Sequence, residues 1–68
     1  DAIEQAEIRM RVRRALSRLG AKHRDVVRMH DLEGFTIREI AERLGIAEGT
    51  VKSRLFYGRE ELKRHLTS

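Results

Sequence analysis

Hydrophobic residues recur at helical spacing in four segments of this chain, and single glycines separate these segments. The separating glycines are Gly20, Gly34 and Gly45. β-Branched residues nowhere alternate with polar ones over a stretch long enough for a strand. The pattern therefore predicts an all-α fold, a compact four-helix domain.

The first helix is predicted from about Ala2 to Arg18. Its first turns carry acidic residues and its last turns carry arginines, which is the order that the helix dipole favours. Gly20 is expected to end it as a left-handed C′ residue. Its buried stripe is predicted to contain Ile8, Val12, Ala15 and Leu19, with Leu16 at the edge.

A second helix is predicted from about Lys22 to Leu32, with Gly34 after its end. Helical spacing brings Val26, Met29 and His30 together on its inner side, flanked by Val27. We expect His30 to pack at the edge of the core.

The third helix has the clearest local signals. Thr36 and Glu39 have the spacing of a capping box, and Phe35 before the cap can pack onto Ile40 as a hydrophobic staple. Gly45 provides a left-handed exit. The predicted buried face consists of Ile37, Ile40, Ala41 and Leu44.

The fourth helix is predicted from about Glu48 to Leu66. Its apolar stripe contains Val51, Leu55, Gly58, Leu62 and Leu66. The opposite arc carries Thr50, Lys52, Ser53, Phe56, Tyr57 and Glu60. A helix of this length in so small a domain must leave one face free for solvent or a partner.

The third and fourth helices fit a helix-turn-helix, in which two helices are joined by a short turn that contains glycine. Ala41 is small where the helices approach, Gly45 tolerates a positive φ, and Val51 can pin the second helix to the first. The remaining core positions of the motif are Ile40, Leu44, Ile46 and Leu55. The alternative is a small helical bundle that matches this pattern by chance.

In a helix-turn-helix the second helix enters the major groove of DNA with its N-terminal half. Lys52 and Arg54 can reach phosphates or the acceptor edge of guanine, and Ser53 can hydrogen-bond in either direction. Phe56 can lie against a thymine methyl group. Thr50 and the free amides of the first turn are suited to phosphate.

Composition narrows the function further. The 68 residues include 15 Lys and Arg against 11 Asp and Glu, for a formal net charge of +4, and no cysteine. This length supports one domain, residues 1–68, and the absence of an initiator Met suggests a fragment of a longer protein. The basic balance favours an acidic partner, and no catalytic set, small-molecule substrate or membrane segment is indicated.

The three histidines, His23, His30 and His65, lie in different elements without the spacing of a metal site. We therefore expect no metal, no other cofactor and no enzymatic activity.

The segment from Asp31 to Leu55, followed by Gly58-Arg59-Glu60-Glu61-Leu62, closely resembles region 4 of bacterial sigma-70 family factors. The Gly-Thr-Val-Lys-Ser-Arg segment at 49–54 is most similar to the extracytoplasmic-function (ECF) group. The resemblance extends from about Ile8 to Leu66. It implies a helical domain that reads the minus-35 promoter element and directs transcription initiation by RNA polymerase.

The resemblance also implies roles for individual residues. The family's base-reading positions correspond to Lys52, Ser53, Phe56 and Tyr57. The expected contacts to the DNA backbone come from Arg38, Thr50, Arg54 and Arg59. The family usually has Arg-Ala where this chain has Tyr57-Gly58, which suggests a different promoter sequence.

As partners the resemblance implies promoter DNA, the β flap of the polymerase core and an anti-sigma factor. It also implies a monomeric protein in the bacterial cytoplasm.

Two alternative functions remain open from sequence. One is a helix-turn-helix of the response-regulator type, which dimerises on DNA. The other is a sigma-like decoy that binds an anti-sigma factor and barely touches DNA.

Overall fold

The fold consists of four α-helices and one short π-helical segment, as seen in a computed structural model that describes residues 1–67. The α-helices are α1 (Ala2–Ser17), α2 (Ala21–Val27), α3 (Ile37–Leu44) and α4 (Glu48–Thr67). The π segment, Arg28–Leu32, directly continues α2. Residues 1–67 contain no β-strand, so the predicted all-α fold is confirmed. No helix in this range has the length and apolar character needed to cross a bilayer.

Helix α1 begins at an Asp1 cap, where the side chain accepts a hydrogen bond of 2.9 Å from the Glu4 amide. It ends in a tightened last turn, in which the Arg18 and Leu19 amides donate to carbonyls three residues earlier. The prediction that Gly20 is a left-handed C′ residue is wrong. Gly20 is extended, with φ −63° and ψ 153°, and it caps the start of α2 instead.

Only the last turns of α1 contact the core. Ala15, Leu16 and Leu19 are buried, and Val12 is half-buried. Ile8, predicted on the buried stripe, is 53% exposed, and this part of the prediction is wrong. The reason is that the first half of the helix extends past the elements that would cover it. Periodicity identifies a face but not how far along the helix that face is covered.

The predicted second helix is divided in two. Helix α2 ends at Val27, and the next turn is π-helical, with the Glu33 amide donating to the Arg28 carbonyl over 3.0 Å. The predicted inner residues Val26, Val27 and Met29 are buried in spite of this change. His30 is half-buried, at the edge of the core.

The capping box of α3 is present as predicted. The Glu39 amide donates to Thr36 Oγ1 (3.1 Å), and the Thr36 amide donates to Glu39 Oε1 (2.9 Å). Gly45 is left-handed, with φ 68°, as expected for the turn. Leu44 is 37% exposed rather than buried, because it is the last residue of α3 and the chain turns away behind it.

The core is formed where α4 packs across α2, α3 and α1. Phe35, Ile37, Ile46 and Leu62 are partly buried against it. Gly58 is buried where α4 passes α2. The core cluster consists of Leu16, Leu19, Val26, Val27, Met29, Ile40, Ala41, Val51 and Leu55.

Candidate nucleic-acid interface

The turn between α3 and α4 brings together part of the predicted core of the helix-turn-helix, whereas Ile46 is half-buried and Leu44 is exposed. Ile40, Val51 and Leu55 are buried, and Ala41 is buried beside them. The Ile46 amide donates to the Ala41 carbonyl over 3.1 Å, which closes the turn. The fully buried Val51 fixes the rotation of α4 about its own axis. Residues that follow it by one, two, five or six positions are thereby turned outward.

The outward face of α4 carries the four residues predicted to read bases. Lys52 and Ser53 are exposed, and Phe56 and Tyr57 are each 59% exposed. Lys52 lies one turn before Phe56, and Ser53 lies one turn before Tyr57, so they form two adjacent rows. Because Val51 and Leu55 are buried on the other side, the structure leaves this whole face accessible.

The two aromatic rings contact each other at the centre of this face. The Phe56 and Tyr57 centroids lie 5.2 Å apart with an interplanar angle of 89°, an edge-to-face pair. Two adjacent aromatic side chains this exposed form an apolar patch within a charged surface. The rings therefore support each other while remaining available to a partner.

Cations flank the aromatic pair. Lys52 and Arg54 have no carboxylate partner among residues 1–67, so their charges can meet an anion without first breaking an ion pair. Thr50 is half-buried at the start of α4, where its amide and that of Val51 both donate to the Ala47 carbonyl. Arg38 on α3 is well exposed and makes a loose pair with Glu42 at 3.5 Å. Such a surface pair is worth little and is easily exchanged for a phosphate.

Arg59 differs from the other predicted DNA-contacting cations, because it is bound to the π segment. Its Nε donates to Asp31 Oδ2 over 2.9 Å, and its Nη2 donates to Asp31 Oδ1 over 2.6 Å. The hydrogen bond from Arg59 lowers the pKa of Asp31, and the same bond raises the pKa of Arg59. His30 Nδ1 lies 2.9 Å from Asp31 Oδ1 and 3.0 Å from Arg59 Nη2.

Sequence reasoning did not find this three-residue cluster. Asp31 and Arg59 are 28 residues apart, and neither periodicity nor a known motif links them. A similar link that was not predicted joins α2 to α4, where His23 Nδ1 lies 3.2 Å from Glu61 Oε1. No signal in a single sequence indicates such pairs. Among residues 1–67, no group of three His, Asp or Glu side chains is placed to hold a metal ion.

A short turn with a left-handed glycine, a buried pinning valine and a long second helix with a free polar face define a domain of the helix-turn-helix class. Comparison with known proteins gives the family. Residues 9–62 match the family model described as sigma-70, region 4, which covers most of the chain. The chain therefore belongs to the sigma-70 region 4 family.

Individual relatives agree with this family and with the ECF group. The chain is 44% identical over 66 residues to the ECF RNA polymerase sigma factor SigM of Mycobacterium tuberculosis, covering 97% of this chain and 34% of the relative. It is 43% identical over 63 residues to SigL of the same species (93% and 36%). It is 33% identical over 66 residues to SigW of Bacillus subtilis (97% and 35%). The chain thus spans about a third of the length of the curated relatives it matches.

Proposed function

We propose that this chain reads promoter DNA for a bacterial RNA polymerase as the region 4 domain of an ECF sigma factor. In this proposal α4 enters the major groove at the minus-35 element. The observation that carries it is the division of α4 into two faces. Val51 and Leu55 hold one face to the body, while Lys52, Ser53 and Phe56 remain accessible on the other.

The contacts follow from the chemistry of each exposed group. Lys52 can donate to guanine O6 or N7, and Ser53 can donate or accept at a base edge. Phe56 and Tyr57 can lie against thymine methyl groups, and their edge-to-face contact orders both rings before binding. Such contacts specify sequence because the major groove presents a different pattern for each base pair.

Backbone contacts would orient α4 in the groove. We propose phosphate contacts from the half-buried Thr50 and Arg54, in the first two turns of α4, and from the exposed Arg38 on the neighbouring α3. The fourth cation of the predicted set, Arg59, is bound to Asp31, and we leave it out of the proposed phosphate contacts.

The partners we propose follow from the family. The relatives are named RNA polymerase sigma factors. For this chain we propose that the polymerase core binds through its β flap, that an anti-sigma factor controls access, and that the domain acts as a monomer in the bacterial cytoplasm. A dimer of the response-regulator type would be detected by sedimentation.

The test is selection of bound duplexes from a random pool by the full-length parent protein assembled with polymerase core. A K52A/S53A/F56A variant should lose roughly tenfold or more of the preference for the selected sequence, because each good base contact discriminates by about 1–3 kcal/mol. An I3A/S17A/K22A variant is the matched control, since it removes one lysine, one serine and one exposed apolar side chain elsewhere.

The control should keep the preference, and both variants should still assemble with core. An unchanged sequence preference in the α4 variant would contradict the assignment of these readers. If the parent binds an anti-sigma factor but selects no sequence, the decoy alternative replaces the proposal.

A further inference from the structure

We propose that Asp31 restrains Arg59, and that this restraint limits the affinity of the domain for DNA of any sequence. The proposal rests on the proposed function in taking duplex DNA as the ligand. It concerns a residue in the π segment, outside the helix-turn-helix, that the family resemblance does not assign to DNA.

The contact is a side-on pair with good geometry. Arg59 uses Nε and Nη2 on the two oxygens of one carboxylate, at 2.9 and 2.6 Å. Charge-assisted bonds of this paired kind are about twice as strong as neutral ones and fix the plane of the guanidinium. The pair also links α4 to the π segment, so Arg59 is held to the protein body on that edge.

His30 adds a third bond in either of its neutral forms. With Nδ1 unprotonated it accepts a hydrogen bond from Arg59 Nη2, and with Nδ1 protonated it donates to Asp31 Oδ1. A single nitrogen cannot do both at once. In one form it therefore holds the arginine directly, and in the other it fixes the carboxylate that holds the arginine.

The restraint distinguishes Arg59 from its neighbours on α4. Lys52 and Arg54 have no carboxylate partner among residues 1–67. Arg59 lies seven residues, or about 10 Å, beyond Lys52 along the helix axis. From there a released guanidinium could reach the DNA backbone beside the groove that α4 enters.

A phosphate contact from Arg59 would strengthen binding to every duplex, because phosphates carry no sequence information. Pairing with Asp31 offsets the charge of Arg59 and occupies Nε and one N–H of Nη2, the edge that would otherwise make a paired contact with a phosphate. The domain then relies on the N-terminal half of α4, where base edges are read. Asp31 is in this sense a positioning residue that acts through Arg59.

The experiment measures the salt dependence of binding by the purified chain to a random-sequence duplex and to immobilised heparin. The variants are D31N, R59Q and D31N/R59Q, with circular dichroism to verify equal helix content. D25N is the matched control, because it removes one aspartate charge and frees Arg24 in α2 from a 3.7 Å pair, while Arg28 keeps its 2.9 Å bond to Glu33. Each additional phosphate contact steepens the log–log salt slope by about 0.9.

Between 50 and 200 mM salt, we expect the affinity of D31N for the random-sequence duplex to fall about 3.5-fold more than that of the parent. This difference corresponds to one additional phosphate contact. R59Q should retain the parent slope, and D31N/R59Q should match R59Q. A D31N effect that persists without Arg59, or that D25N reproduces, would overturn the proposal. So would a shallower slope in R59Q alone, since Arg59 would then already bind phosphate.

A second measurement does not depend on DNA. In an NMR spectrum of the arginine Nε–H groups, the Arg59 signal should be shifted and slow to exchange in the parent, and D31N should abolish both properties. An Arg59 signal that D31N leaves unchanged would overturn the restraint. If the parent binds no duplex, the proposed function fails. Elution from heparin and the Arg59 Nε–H signal would still show whether Asp31 restrains Arg59.

Discussion

Gly58 in α4 faces Val27 in α2 at the closest approach of the two helices. A Cβ built on Gly58 would lie 2.8 Å from Val27 Cγ2, closer than real Cβ atoms approach other heavy atoms, and 3.3 Å from His23 Cβ. Glycine in a helix interior is less favourable than alanine by about 1 kcal/mol. At position 58 the missing Cβ allows α4 to approach α2 this closely. The sequence pattern places Gly58 on the apolar stripe of α4, and the structure shows which residues it contacts there.

Replacing Gly58 with alanine should therefore destabilise the domain despite the gain in helix propensity. Overpacking costs about 1–3 kcal/mol, because Val27 is fully buried and its β-branched side chain has little freedom in a helix. After the propensity gain, we expect a net loss of about 1 kcal/mol, or about 4–8 °C in Tm. Thermal unfolding measures it. G49A is the control, since a Cβ there meets nothing within 4 Å, and a G58A Tm at or above the parent value would contradict the packing argument.

Removing the Thr36 cap should weaken the start of α3. T36A loses the hydroxyl that accepts from the Glu39 amide, at a cost of about 1 kcal/mol. T36S keeps the oxygen and should remain within a few tenths of a kcal/mol of the parent. Urea unfolding distinguishes the two. Equal midpoints for T36A and T36S would show that the capping box contributes nothing measurable.

The Asp31–Arg59 pair should make stability fall in acid. The pKa of Asp31 is lowered in the folded state, first by the hydrogen bond from Arg59, so the folded protein binds its proton less readily than the unfolded chain. The resulting stabilisation is present above the ordinary aspartate pKa, about 3.9, and is lost as the pH falls through the lower folded value. His30 and Arg59 are the charged or titratable groups that contact this carboxylate.

Urea unfolding at a series of pH values from 7 to 2 measures this dependence. D31N should reduce the loss of unfolding free energy at low pH. The remaining loss comes from other carboxylates such as Glu39, whose pKa is lowered by its bond to the Thr36 amide. R59Q should reduce the loss in the same way. A D31N curve parallel to that of the parent would mean that the pair does not persist in solution.

Replacing Tyr57 with arginine would place the residue that the family usually has on the reading face. Tyr57 is 59% exposed, so stability should change by less than about 0.5 kcal/mol. The added cation should steepen the salt slope of DNA binding by about 0.9 if it reaches a phosphate, or change the preferred base if it reaches guanine. Selection from a random pool tests both, with Y57F as the control. Unchanged slope and preference would place position 57 outside the interface.

Features that depend on neighbouring residues could be predicted closely. The Thr36–Glu39 capping box, the left-handed Gly45 and the outward rotation of Lys52 and Phe56 all follow from local spacing. Each is determined within a few residues, through a cap, a backbone conformation or the 3.6-residue repeat. The family could be identified for the same reason, since its motif is almost continuous in sequence.

Features that depend on where another element ends could not be predicted. Ile8 and Leu44 have apolar side chains at core-facing positions, yet both are exposed because no neighbouring element extends over them. Gly20 was expected to be left-handed, but tightened bonds from Arg18 and Leu19 had already ended α1. The π turn after Val27 likewise has no signal in the local pattern.

The order of the residues thus determined the helical periodicity, the cap of α3, the turn at Gly45 and the face of α4 that stays free, because each follows from interactions within one or two helical turns. The tertiary structure alone decided how far α1 is covered, why position 58 must be glycine, and that Asp31 holds Arg59. Those three outcomes depend on distances between segments far apart in the chain, which packing of the whole core fixes and local spacing does not encode.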